Sequence, residues 1–214
     1  MSFKETLAIA LLSISMTLVA NLIFHYLKNK FDWFNETKKF KREYYYSQLN
    51  ELYLELYGVV AQSEFIRYFF EFDKQFSFMD LPFIELKNYI NKIETDSDRE
   101  TIIRQKTEVE TELTRFNKNF LTKLIIEKRQ YASPKLLKLA VAHRFCVEYY
   151  SKEDISDSSL LSKYQEEEIK LIYELVVTII KETNEKLKYC RMDWIENEME
   201  HGMMDYNIYG ENVN

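Results

Sequence analysis

Glycine and proline are scarce: the 214 residues include 3 Gly and 2 Pro, where average usage would supply about 15 and 11. Tight β-turns and phosphate-binding loops depend on glycine. Gly58, Gly202 and Gly210, far apart as they are, therefore leave no Gly-rich nucleotide loop and little room for a sheet protein. An all-α chain is the fold class that remains. Cysteine is equally thin, with Cys146 and Cys190 alone and no CxxC spacing, which excludes a zinc ribbon or a disulfide framework. Both are expected as small apolar residues on helix faces, in a reducing compartment. Neither a G-x-S-x-G elbow nor a P-loop occurs, and His25, His143 and His201 offer little acid/base capacity. No cofactor and no catalytic residue is indicated.

Charge is unevenly divided. The net charge is −6, but residues 1–43 carry +3 and the remainder −9. A basic segment suits an anionic lipid surface, while an acidic body is repelled by a phosphate backbone, so nucleic acid is not an expected partner.

A long apolar run is what the chain does have. Thr6 to Leu27 reads TLAIALLSISMTLVANLIFHYL without Asp, Glu, Lys or Arg, and as a helix this spans ~33 Å, enough to cross a bilayer. A nearly neutral MSFKE start and the lack of an A-x-A-like site favour an uncleaved anchor over a signal peptide. Lys28, Lys30, Lys38, Lys39, Lys41 and Arg42 follow the run, whereas Lys4 alone precedes it. The positive-inside rule then places the N-terminus outside and the rest in the cytoplasm of a single-pass cell-membrane protein. Tyr26, Phe31, Trp33 and Phe34 fall where aromatic rings favour the interface. Lys28, Lys30, Trp33, Lys38, Lys39, Lys41 and Arg42 are the expected membrane-interface residues, facing an anionic cytoplasmic leaflet. Within the span Ala10, Ser13, Thr17 and Ala20, with Asn21 beside them, make a small and polar stripe. Ser13, Thr17 and Asn21 are candidates for helix association, against a simpler reading in which hydroxyls bond back to their own helix carbonyls.

Beyond the anchor, Tyr45, Leu49, Leu52, Leu56, Val59, Ser63, Ile66 and Phe70 recur at alternating spacings of four and three, the seam of a helix packed lengthwise on others. Flanking apolar residues widen this face and point to a multi-helix bundle. Residues 71–81 break the pattern. A short helix is expected after Asp80 and Pro82, then a long one opened by Ser97 and Glu100 in a capping box and ending near Gln130. Ser133-Pro134 restarts a helix lined by Leu136, Ala140, His143 and Val147, residues 151–159 read as a loop, and a last helix is expected from Leu160 to Met199. The organisation is an anchor with its basic and aromatic collar (1–43), a bundle of about five helices (44–200) and a flexible acidic tail (201–214).

Few constellations suggest chemistry. Glu198-x-x-His201 has the spacing used by di-metal bundles, but no second copy exists, so a solvated helix end is the simpler reading. His143 is expected as a satisfied core or boundary residue, with a general base as the alternative. Glu64 and Arg67 form an i, i+3 pair of opposite charge, expected to be partly exposed, with a buried ion pair that fixes bundle register as the alternative.

Together these features lead us to expect a membrane-anchored, non-catalytic helical module that binds or assembles, as a homo-oligomer or with a protein partner. The alternatives are an oligomeric effector acting on the bilayer and a membrane-bound enzyme with an unrecognised site. Enrichment in Lys, Asn, Ile, Tyr and Phe points to an A+T-rich genome, bacterial or phage, and so to a role in phage defence or exclusion.

Overall fold

The computed structural model describes residues 3–86, 89–95, 102–108, 111–152 and 158–205. The chain divides into two units at Tyr44/Tyr45, and the regular structure of the described residues is helical apart from one hairpin. In the first unit, helix α1 (Phe3–Gln48) begins and passes unbroken through 32–35. No Gly or Pro interrupts it, so every interior carbonyl finds its amide.

The second unit takes over the end of α1 and continues through a π-helical turn, Leu49–Tyr53, into α2 (Leu54–Phe69). Leu49, Leu52, Leu56, Val59, Ser63 and Ile66 of the sequence seam are buried, as are Tyr53 and Val60 beside it, whereas Phe70 is exposed. Helix α2 stops at Glu71, whose left-handed φ of 54° lets its N–H reach the Tyr68 carbonyl. A 3-10 turn (Phe72–Lys74) follows, and residues 82–86 have no regular structure. The helix expected after Pro82 is absent there: the Ile84 N–H bonds to Ser63 Oγ of α2 and the Glu85 carboxylate accepts from the Lys118 N–H instead.

A hairpin replaces the second half of the expected short helix and the start of the expected long one. Strands β1 (Tyr89–Thr95) and β2 (Ile102–Glu108) pair antiparallel, with Tyr89 opposite Glu108 and Thr95 opposite Ile102. Ile90, Ile93, Thr95, Ile102, Ile103 and Thr107 are β-branched, which weakens a helix and suits a pleated strand. The proposed cap at Ser97 and Glu100 lies outside the described residues. The actual caps come later, where Thr111 and Thr114 bond reciprocally at the start of α3 (Glu112–Arg115) and the Asn117 side chain accepts from the Phe120 N–H at 2.9 Å before α4 (Lys118–Glu127).

Helix α5 (Pro134–Lys152) starts where Ser133-Pro134 predicts, with Ser133 Oγ accepting from the Leu136 N–H at 3.1 Å. Ser151 and Lys152 extend α5 and Ser158 opens α6 (Ser158–Cys190), so only 153–157 remain of the expected loop, outside the described residues. The last helix ends nine residues earlier than expected. At its end Arg191 takes a left-handed φ of 61°, its N–H bonds to the Lys188 carbonyl and the Met192 N–H to the Leu187 carbonyl. That is a Schellman stop built without glycine. Helix α7 (Glu196–His201) then turns back on α6 and closes at Gly202, φ 71°, whose N–H reaches Glu198 O at 2.8 Å.

The core gathers Leu49, Leu52, Leu56, Val59 and Val60 with Leu121 and Ile125 of α4, Leu136 and Ala140 of α5, and Ile172, Leu175, Val176, Ile179 and Ile180 of α6. Helix α5 packs on α4 and α6, and both α2 and the π-helical turn pack on α6.

Candidate functional site

In the first unit one helix is long and apolar enough to cross a membrane, near the N-terminus. Its most apolar 18-residue window has a mean hydropathy of 1.4, and none of it is buried. Leu11, Ile14, Met16, Leu18, Leu22, Ile23 and Phe24 all stand exposed, and they project around the whole circumference of α1. Such a surface is stable only in an apolar surrounding.

Among the candidate association residues, Thr17 donates its hydroxyl to the Ser13 carbonyl at 2.8 Å, and Ser15 does the same to Leu11. Asn21 is exposed and makes no side-chain hydrogen bond among the described residues. The collar Lys28, Lys30, Trp33, Lys38, Lys39, Lys41 and Arg42 is exposed along the same helix. Its cations lie over neighbouring rings, Lys30 Nζ at 5.8 Å from the Tyr26 centroid and Lys38 Nζ at 4.2 Å from that of Phe34.

The second unit buries its polar groups in clusters. Glu198 is not a solvated helix end: it is 1% exposed. Its Oε2 accepts from the Tyr57 hydroxyl at 2.6 Å and Asn184 Nδ2 at 2.9 Å, and its Oε1 accepts from the Asp205 N–H at 3.0 Å. Asn184 Oδ1 in turn accepts from the Ile195 N–H at 2.9 Å. His201, its supposed co-ligand, is exposed. These bonds draw residues 202–205, expected as flexible tail, onto the bundle, with Met204 buried; 206–214 lie outside the described residues.

A second cluster surrounds Glu182. The Tyr53 hydroxyl donates to Oε2 at 2.6 Å, Ser133 Oγ donates to Oε1 at 2.7 Å, and Lys186 Nζ lies 3.4 Å from Oε2 and 3.9 Å from the Tyr53 ring centroid. Burial and the Glu182 carboxylate push the Tyr53 phenol up, while burial draws the Lys186 ammonium down against the pull of Glu182. This cluster went unnoticed in the sequence. Its one signal was the interruption of an apolar stripe by Glu182, Thr183, Asn184 and Lys186.

Glu64 and Arg67 are 1% and 2% exposed, which is the buried alternative and not the partly exposed pair expected. Arg67 Nε donates to Glu64 Oε2 at 3.1 Å, Nη2 donates to the Leu81 carbonyl, and the guanidinium lies 5.2 Å from the Phe78 ring centroid. One turn earlier Ser63 Oγ accepts from the Ile84 N–H at 2.7 Å. Residues 77–84 are thereby strapped to α2, which explains why a charge pair lies on an apolar helix.

His143 is fully buried. Thr122 spends its only proton on the Lys118 carbonyl at 2.9 Å, so it accepts from His143 Nδ1, also at 2.9 Å. Burial lowers the imidazole to about 4, with Glu168 opposing and Lys118 adding to the shift. Held neutral, His143 packs the core. Burial also raises the Cys146 thiol, reinforced by Glu167 and Glu168.

On the surface, Phe69, Phe70, Phe76 and Met79 are exposed at the end of α2 and beyond it, with Phe69 and Phe70 edge to face at 5.2 Å. No family model, curated protein or solved structure matches the chain.

Proposed function

We propose that this protein is a single-pass membrane-anchored helical module that binds or assembles and performs no catalysis. The observation that carries the reading is the wholly exposed apolar stretch of α1, which in water would be a liability and in lipid an address. The basic collar sets the orientation, N-terminus outside and bundle in the cytoplasm, and draws Lys28 to Arg42 to anionic headgroups. Confinement to a surface raises the effective concentration of the bundle for contacts too weak for solution.

The clusters around Glu198 and Glu182 favour a scaffold over an enzyme, because their carboxylate oxygens are taken up by donors of the same cluster. A contact surface is offered by Phe69, Phe70, Phe76 and Met79, a phenyl-rich patch suited to an apolar face of a protein partner. A bacterial or phage setting, with a part in phage defence or exclusion, is the biological context this reading proposes.

Carbonate extraction and protease protection of the full chain in cell membranes test it. A carbonate-resistant protein whose 45–205 region is digested only after the cytoplasmic side is opened supports the reading. Release into the supernatant overturns the anchor, and digestion from outside overturns the orientation.

A further inference from the structure

Ser13, Thr17, Asn21 and His25 recur every fourth residue, which aligns them along one i±4 ridge of α1. They differ in how their hydrogen-bonding capacity is used. The Thr17 hydroxyl is consumed by the Ser13 carbonyl at 2.8 Å, whereas the Asn21 carboxamide, with two donors and an acceptor, has no hydrogen-bond partner among the described residues. By the rise of the helix, Asn21 lies ~7 Å from the middle of the Thr6–Leu27 stretch and His25 near its edge. At that depth no water is available, and an unanswered amide costs several kcal/mol.

We propose, building on the anchor reading above, that the span pairs in parallel with the span of a second copy of this chain, each Asn21 carboxamide bonding to the other. A second copy fits this demand because it carries the same group at the same depth, and a carboxamide is complementary to itself. Ridges of the i±4 type interlock in a right-handed crossing, which lays Thr17 and His25 along the contact on either side of Asn21. Ala20, beside the ridge, lets the two backbones approach.

Energy transfer between fluorophores on the N-terminus of the full chain, reconstituted in phosphatidylcholine vesicles over a range of lipid-to-protein ratios, tests the pairing. We expect a dimer that Asn21→Leu weakens about ten-fold, that Asn21→Gln retains, and that Asn21→Leu/Leu22→Asn, which moves the carboxamide about 100° around the helix, does not restore. A chain that enters vesicles but stays monomeric overturns the pairing and leaves the anchor standing. An unchanged dimer in Asn21→Leu, or one restored by the displaced carboxamide, also overturns it. A chain that fails to enter the vesicles overturns the anchor and the pairing together.

Discussion

The two units treat polar groups in opposite ways. In the second unit, buried Glu198 receives three donors, from Tyr57, Asn184 and the Asp205 N–H, and half-buried Glu182 receives Tyr53 and Ser133 from other elements and Lys186 from its own helix. In the apolar stretch of α1, hydroxyls such as those of Ser15 and Thr17 turn back on their own helix and the Asn21 amide is left unanswered. One rule, that a polar group out of water needs a partner, produces a closed structure in the first case and an open demand in the second. The difference also extends to apolar side chains, which the second unit gathers in a core and the apolar stretch of α1 leaves exposed.

That contrast is broken most severely by placing charge in the apolar stretch. Ile14→Arg with Leu18→Arg is expected to add about 6 kcal/mol to insertion, and the protein should leave the carbonate-resistant membrane pellet. A smaller effect is expected in the bundle. Glu198→Ala strands the Tyr57 hydroxyl, Asn184 Nδ2 and the Asp205 N–H, and should destabilise the detergent-solubilised chain by about 3 kcal/mol in urea unfolding. Protease cleavage within 202–205 should appear at the same time, because those residues lose their tie. Membrane partitioning should be unaffected, which keeps the two effects separable.

The mildest test uses pH. Burial lowers His143 to about 4 in the folded chain from about 6.5 when unfolded, so well above pH 6.5 it is neutral in both states and contributes no slope. Between 6.5 and 4 the unfolded chain binds the extra proton, and stability falls with pH, by about 2 kcal/mol at pH 5. His143→Leu should flatten this dependence between pH 7 and 5 in the same unfolding measurement. A slope that persists in the variant would assign it to other groups.

Much of the helical plan was legible because it rests on local signals. The seam from Leu49 to Ile66, the restart at Ser133-Pro134 and the apolar run each follow from periodicity, a cap or composition. The failures have physical causes as specific. The stop at Arg191 uses a left-handed residue with no glycine to announce it, and the hairpin at 89–108 sits in a stretch whose isoleucines also satisfy a helical stripe. Glu64, Arg67 and Glu198 are more buried than their spacing suggests for a common reason: besides the local Glu64–Arg67 pair, their hydrogen-bond partners are residues distant in sequence or backbone groups of a strap, which no local pattern reveals. Asn21 was visible as a polar residue in an apolar run. The absence of an internal partner was not.

The π-helical turn at Leu49–Tyr53 has a consequence for how the protein tolerates insertion and deletion. A π-turn carries one residue more than an α-turn of the same length, so it acts as a phase joint between the residues before and after it. Removing exposed Asn50 would leave an ordinary α-helix with Tyr45 still in phase with Val59, its ring kept against Tyr189, 5.0 Å distant, and near Lys186. In this stretch of chain a single codon can therefore be lost without turning the helix, whereas the same loss elsewhere in α1 or α2 would be read out as a rotation of about 100°.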